Sequence, residues 1–192
     1  MDLNVLEWIN NNLHGDSVVT DIFKFITSTG DSGFIWIILS LFLMVFKRTR
    51  KCGFIMIVTL AFNYFLVDIV IKNIVIRTRP YYLSSDIMSW LQGTGYELPT
   101  SYSFPSGHAS SGMATAVAML LYNKKWGTPS VIYALLVALS RVYLCVHYPT
   151  DVICGIMIGI LVAIMVRHIF WKISVKLQKK HGLLKVNEMI SK

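Results

Sequence analysis

Long blocks of uninterrupted apolar residues constrain this chain more than any other feature. They run Phe34–Phe46, Cys52–Ile71, Ala109–Tyr122, Ser130–Val146 and Val152–Val166. Within them the hydrophobic side chains do not return at the spacing that gives a soluble helix one wet and one dry face. Backbone N–H and C=O groups inside a bilayer have no water to bond, so such blocks must become helices that satisfy their own ladders. A span takes roughly 20 mostly apolar residues, with about 17–25 tolerated. Cys52–Ile71 reaches that length alone. The others reach it when flanking small residues and snorkelling lysines count as interfacial. The reading is an all-α integral membrane protein, a single domain over 1–192, built as a helical bundle of about five transmembrane helices with six possible. Residues 1–30 are expected to form amphipathic helices lying at the interface, with Leu3, Leu6, Ile9 and Leu13 on one stripe.

The formal charge is +8, which on a soluble chain would suggest nucleic acid. Its placement excludes that partner class. Of the 18 Lys and Arg residues, four lie in 47–51, two at 124–125 and seven from Arg167 onward. The spans put these regions on one side, which the positive-inside rule assigns to the cytoplasm. The segment before Asp31, with 80–105 and 147–151, then falls on the extracytoplasmic side of a multi-pass cell-membrane protein. Those segments carry Asp2, Glu7, Asp16, Asp21, Asp86 and Glu97.

The outer loop 80–105 bears Tyr81, Tyr82, Trp90, Tyr96 and Tyr102, and Ser84–Leu91 is predicted to form a short helix. It serves either as a lid or selectivity wall, or as an aromatic belt at headgroup level. The basic stretch 172–192 is predicted to be a cytoplasmic tail that binds the inner leaflet. No Cys-x-x-Cys spacing points to metal or redox chemistry among Cys52, Cys145 and Cys154. Residues 1–30 carry too many polar groups for a cleavable signal, so the first span is expected to direct insertion.

Ionisable residues at the rims of these spans are functional candidates, because charge near a bilayer is costly. Lys72 and Arg79 stand seven apart, on one face if a helix continues between them. Pro80 disfavours helical geometry at Arg79 and should release its guanidinium toward the following loop. Arg77 falls out of phase and is expected to meet headgroups or solvent. Asp68, one turn before Lys72, can hold the ammonium. Without a ligand, the same cluster would be basic side chains snorkelling at a helix end.

In Pro105-Ser106-Gly107-His108, Ser106 suits the N-cap of the third span and Gly107 permits close backbone approach. Free N–H groups at a helix start form an anion site. His108 would stand over it, or would be a structural histidine at the interface. His147 is assigned to a tight outer turn, since Pro149 interrupts any helix between it and Asp151. Asp151 then enters the first turn of the fifth span, where it could accept the ring N–H and orient a nucleophilic imidazole. Arg141, inside the outer end of the fourth span, needs an anionic partner, and a phosphate would supply one. Zinc is the rival ligand for two His and one Asp, but Lys72, Arg79 and Arg141 would repel a dication. No metal and no cofactor are expected.

Taken together, Lys72-x6-Arg79-Pro80, Pro105-Ser106-Gly107-His108 and Ser140-Arg141-x5-His147-x3-Asp151 resemble the signature of the type 2 phosphatidic acid phosphatase superfamily. That superfamily also includes bacterial acid phosphatases and vanadium haloperoxidases. The resemblance implies that His147 is the nucleophile forming a phosphohistidine, with Asp151 orienting it. His108 would protonate the leaving oxygen and then help activate water. Lys72, Arg79, Ser106, Gly107 and Arg141 would hold the phosphate oxygens. Members commonly have six spans, and the extra N-terminal span is not evident here.

The implied activity is metal-independent hydrolysis of a membrane lipid phosphate at the outer face, with bilayer and lipid as the partners and no obligatory protein partner. Undecaprenyl pyrophosphate is the first choice of substrate, then phosphatidylglycerophosphate or phosphatidate. A non-catalytic phospholipid binder or transporter is the alternative of another class, and the His147–Asp151 pair argues against it. A vanadate-dependent oxidant is a third reading, opposed by the membrane blocks.

Overall fold

The computed structural model describes residues 2–14 and 16–190, with side chains to residue 178 apart from Ser32. Every regular element among them is helical. Two short helices, α1 (Asp2–Leu13) and α2 (Ser17–Thr29), lead through a turn at Asp31–Gly33 into α3 (Phe34–Val45). Then come α4 (Arg50–Tyr64), a π-helical stretch Phe65–Ile71 and the single turn α5 (Lys72–Val75). The outer connection holds α6 (Ser85–Gly93), and α7 (Gly107–Tyr122), α8 (Lys124–Tyr143) and α9 (Pro149–Ile190) complete the chain. The basic tail expected at 172–192 continues α9; its side chains beyond 178 and its last two residues lie outside the described residues.

Helix α7 is the hub, packed against α4, α8 and α9. Its run of Gly, Ala and Ser is nearly all buried, since small residues let helix backbones approach closely in a bundle. Gly155 and Gly159 of α9 supply the other half of that contact. A Cβ on Gly155 would stand 2.7 Å from the Ser106 carbonyl oxygen, and one on Gly159 would be 2.9 Å from the Ala114 nitrogen. The opposite face of α9 exposes Ile153, Met157, Leu161 and Ile164. That is apolar outside and small inside, the reverse of a soluble protein.

The segments Arg50–Tyr82 and Pro149–Gln178 are long and apolar enough to cross a membrane, with mean hydropathy 2.3 and 2.4. The α2–α3 pair, bent by 49°, qualifies as a third if taken as one broken span. The sequence suggested that α2 is an amphipathic helix at the membrane interface and assigned it no partner in the bundle. Instead, Thr20 bonds the Tyr143 hydroxyl (3.1 Å), Thr27 accepts from Arg141 (2.5 Å) and Thr29 bonds the Tyr133 hydroxyl (2.5 Å), so α2 runs along α8. Thr20 and Thr27 stand seven apart on one polar stripe and Thr29 bonds from the end of the helix, while Val18, Ile22 and Phe25 stay exposed.

The second expectation to change concerns Lys72 and Arg79. The helix does not continue between them. It loosens into the π-helical stretch, stops at Val75 and reverses at Ile76, which takes the left-handed conformation (φ 52). Arg79 is extended, as the following proline requires.

Above the bundle, α1, α6 and the 144–148 turn share a separate apolar core around Leu6, Tyr81, Ile87, Leu91 and Leu144. Much of the expected aromatic belt is folded into this cap. Tyr81 is buried and donates to the Pro99 carbonyl (2.5 Å), and Trp90 stacks on His14 at 3.4 Å, while Tyr82 and Tyr102 remain exposed.

Candidate active site

Three chain reversals deliver the site. The break at Ile76 swings Arg79 inward, the extended segment before α7 places Ser103 and Ser106, and the turn between α8 and α9 holds His147. Lys72, Arg79, Gly107, His108, Arg141 and His147 line one cavity of about 630 Å³. Ser106 and Asp151 lie behind that lining, fully buried.

Lys72 is buried and its Nζ lies 2.5 Å from Asp68 Oδ1, as the i,i+4 spacing led us to expect. Glycine at 107 leaves room for this pair: a Cβ there would be 3.0 Å from Asp68 Oδ1 and 3.4 Å from Lys72 Nζ, so the carboxylate would have to give way slightly. Ser106 occupies the N-cap position of α7, but its hydroxyl makes no capping bond. Its Oγ and Arg141 Nε are buried without a partner. Buried donors left unpaired are costly, of order 1–3 kcal/mol each. A phosphate oxygen is an acceptor suited to both. Arg141 is otherwise anchored by Nη1, which donates to Thr27 (2.5 Å) and to the Tyr96 hydroxyl (2.7 Å).

Arg79 donates to the carbonyls of Ser101 (2.6 Å) and Val146 (2.8 Å), and its Nη1 stands 3.3 Å from His147 Nε2. Burial, then the nearby Arg141 charge, pushes the Arg79 guanidinium down to about 10 from its ordinary value. Even there it stays charged at neutral pH. His147 is fully buried, and burial followed by Arg79, Arg141 and Lys72 holds its pKa well below the ordinary histidine value. Its imidazole is therefore neutral at pH 7, and its Nε2 lone pair faces the Arg79 donor.

Asp151 was expected to accept the His147 ring N–H directly. The two are 3.6 Å apart, ion-pair distance but too long for a hydrogen bond. Ser103 sits between them, 3.5 Å from His147 Nδ1 and donating to Asp151 Oδ2 at 2.5 Å. The Tyr148 N–H donates to the same oxygen at 3.1 Å. Oδ1 takes Arg77 Nη1 at 2.5 Å. Arg77 thus does not face headgroups. It bridges Asp151 and Asp2 (3.0 Å) and lies 3.9 Å above the Tyr148 ring.

Ser103, Arg77, Tyr96 and Thr27 were missed as site residues because each reaches in from an element distant in sequence. The one available signal was Arg77, a further cation two residues from the Arg-Pro pair. Among the described residues no group of three His, Cys, Asp or Glu side chains is placed to hold a metal.

A family model described as the PAP2 superfamily matches residues 52–174. The chain belongs to the PAP2 superfamily. It is accordingly a hydrolase of phosphate ester or anhydride bonds in membrane lipids. An undecaprenyl-diphosphatase of Sulfolobus acidocaldarius is 33% identical over 82% of this chain and 70% of its own length. The undecaprenyl-diphosphatase BcrC of Bacillus subtilis is 28% identical over 86% of this chain and 82% of its own. Among solved structures, Aquifex aeolicus LpxE superposes with a TM-score of 0.69 at 25% identity, covering 87% of this chain and 94% of that one. A Bacillus subtilis phosphatidylglycerolphosphate phosphatase, at 0.67 and 23%, covers 90% and 85% and shares the fold. The matched PAP2 region begins at α4, so α1, α2 and α3 lie outside it.

Proposed function

We propose that this PAP2 protein is an extracytoplasmic undecaprenyl-diphosphatase that works through a phosphohistidine on His147. One observation carries the reading: a neutral buried imidazole shares its cavity with three cationic side chains and a second histidine. His147 Nε2 faces Arg79 and the cavity while Nδ1 faces Ser103 and Asp151. That orientation leaves the lone pair on the cavity side.

In the first step Nε2 attacks the terminal phosphorus of the lipid diphosphate. A P–N bond forms, the P–O bond to the lipid monophosphate breaks, and His108 gives a proton to the departing oxygen. Water then attacks phosphorus and passes its proton to His108; the P–N bond breaks and inorganic phosphate leaves. Lys72, Arg79 and Arg141, with the Ser106 hydroxyl and the Gly107 backbone N–H, stabilise charge developing on the equatorial oxygens. No metal is needed for any of these transfers.

The same cavity also has apolar lining, with Ile37, Ile57, Leu60 and Ala61. This suits the first units of a lipid chain. The choice of undecaprenyl pyrophosphate rests on the two relatives named above. For topology we assign five crossings: α2 with α3, Arg50–Val75, α7, α8 and α9. The Tyr122 hydroxyl bonds the Arg48 carbonyl (2.9 Å), which joins the basic turns at 47–51 and 122–125 at the end remote from His147. That supports a cytoplasmic basic end and an outer site.

Phosphate release from undecaprenyl pyrophosphate, phosphatidylglycerophosphate and phosphatidate by purified protein tests the assignment. We expect the first to turn over fastest, unaffected by EDTA, and His147→Ala to bind lipid without releasing phosphate. Full turnover by that variant would sink the mechanism. Loss of activity in EDTA with recovery in zinc would sink the metal-free account, and a preference for either other lipid would reassign the substrate.

A further inference from the structure

The α2–α3 break carries an acidic residue into the site from outside the region that the PAP2 model matches. Asp31 stands in the turn at Asp31–Gly33, and its Oδ1 lies 2.8 Å from His108 Nε2. It is the only side-chain partner of the His108 ring among the described residues. The break itself is shaped around that ring. A Cβ on Gly30 would lie 2.9 Å from Val137 Cγ1 and 3.0 Å from His108 Cδ2, so a side chain there would shift Val137 and crowd the imidazole. Gly33 turns the chain back with a positive φ of 71. Both glycines and His108 line the cavity.

Other charges facing His108 are cationic. Arg141 approaches from α8 and Lys72 from α5, with the His147 ring on the turn after α8. Asp68, the nearest other carboxylate, is held by Lys72. A ring that must gain and lose a proton beside two fixed cations needs a negative partner of its own, and Asp31 is placed to be one.

We propose that Asp31 is the positioning residue of His108, fixing its tautomer and balancing the imidazolium during proton transfer; this rests on the phosphatase reading above. A carboxylate only accepts hydrogen bonds, so Nε2 carries the proton that Asp31 binds. Nδ1 is then the nitrogen that exchanges a proton with substrate. In the first step the Nδ1–H proton passes to the leaving oxygen as its P–O bond breaks. In the second, the Nδ1 lone pair takes the proton of the attacking water as the P–N bond breaks. Each turnover returns the ring to its starting state, and the Asp31–Nε2 bond persists throughout.

Asp31→Asn in the full-length protein tests this, with two substrates that differ in their need for a proton. Dodecyl phosphate has a poor leaving group; p-nitrophenyl phosphate has one that departs unprotonated. General acid–base transfer contributes about 10²–10⁴-fold, and loss of the orienting carboxylate should forfeit part of that. We expect kcat on dodecyl phosphate to fall about 10–100-fold, kcat on p-nitrophenyl phosphate to fall far less, and inhibition by inorganic phosphate to stay unchanged. Asp31→Glu should recover much of the loss. Nitrogen-15 NMR of labelled histidine in the ligand-free protein gives a readout independent of turnover: Nε2–H in the parent and mixed tautomers in the variant. Equal losses on both substrates, unchanged kcat on dodecyl phosphate, or faster turnover would each overturn the role of Asp31 while the phosphatase reading stands. A parent protein inert on every lipid phosphate would overturn that reading, and the role of Asp31 with it.

Discussion

Replacing Arg77 by methionine keeps most of the side-chain bulk and removes the charge that holds Asp151. The carboxylate is fully buried, and Oδ1 has no donor among the described residues other than Arg77 Nη1 at 2.5 Å. A hydrogen bond to a charged group contributes about 1.5–3 kcal/mol, and an unpaired buried acceptor costs its full desolvation. Removing one partner of a fully buried ion pair costs about 3–5 kcal/mol. Arg77 itself is 30% exposed, so water can reach the vacated Oδ1 and the lower range applies. We expect Arg77→Met to lose about 2 kcal/mol of unfolding free energy. The second consequence is kinetic. Ser103 and the Tyr148 N–H would then hold the carboxylate by Oδ2 alone, leaving it free to turn about that oxygen beside His147. Small misplacements of a reacting group can cost about 10²-fold in rate, and kcat should fall toward that figure with KM little changed. Arg77→Lys should restore only part of either effect. One ammonium cannot reproduce the fork that spans Asp151, Thr150 and Asp2. Denaturant unfolding in detergent micelles and phosphate release would measure both quantities. A stability change within about 0.5 kcal/mol, the range for surface substitutions, together with kcat within twofold, would refute the argument.

Three further outcomes follow from the packing and the charges. Gly159→Ala should destabilise the bundle by about 1–3 kcal/mol, as overpacking does, because its Cβ would strike the backbone of α7, which cannot rotate aside; thermal unfolding reads this. The ligand-free protein should lose stability as pH falls below about 6.5, since unfolded His147 takes up a proton there that the buried ring refuses. In His147→Asn that part of the slope, at most about 1.4 kcal/mol per pH unit, should vanish; an unchanged slope would show the ring titrates normally in the fold. Ser85→Cys, exposed on α6, should be labelled by an impermeant reagent in intact cells when the three native cysteines are replaced. Labelling only after permeabilisation would invert the proposed topology.

Much of this protein can be read from local spacing. Hydrophobic blocks declare helices because a bilayer permits little else, and Cys52–Ile71 was long enough by itself to mark the span that begins with α4. Lys72, Arg79, His108, Arg141 and His147 were legible because charge at the rim of an apolar block is anomalous wherever the block goes. Pro80 marked an extended residue after the second span and Pro149 the start of the fifth, since proline disfavours helical geometry in the residue before it. Yet the same reasoning overextended the helix through Lys72 to Arg79. Nothing local announced the π-helical stretch or the left-handed Ile76.

The residues that hold the candidate site together were the ones left unread. Arg77, Ser103, Tyr96, Thr27 and Asp31 are ordinary polar residues in loops or on short helices, and each contacts a partner between 45 and 114 positions away. Local sequence pattern reports on a residue's own turn or strand, so it carries no information about such pairings. By itself the chain determined a helical membrane bundle with a cationic, histidine-bearing rim. Only tertiary structure decided how Asp151 meets His147 and that Asp31 meets His108. Asp151 reaches His147 through Ser103 and is shared with Arg77, and Asp31 meets His108 because α2 breaks at Gly30 and packs beside α8. Those assignments depend on distances across the bundle, which close packing sets and sequence separation does not.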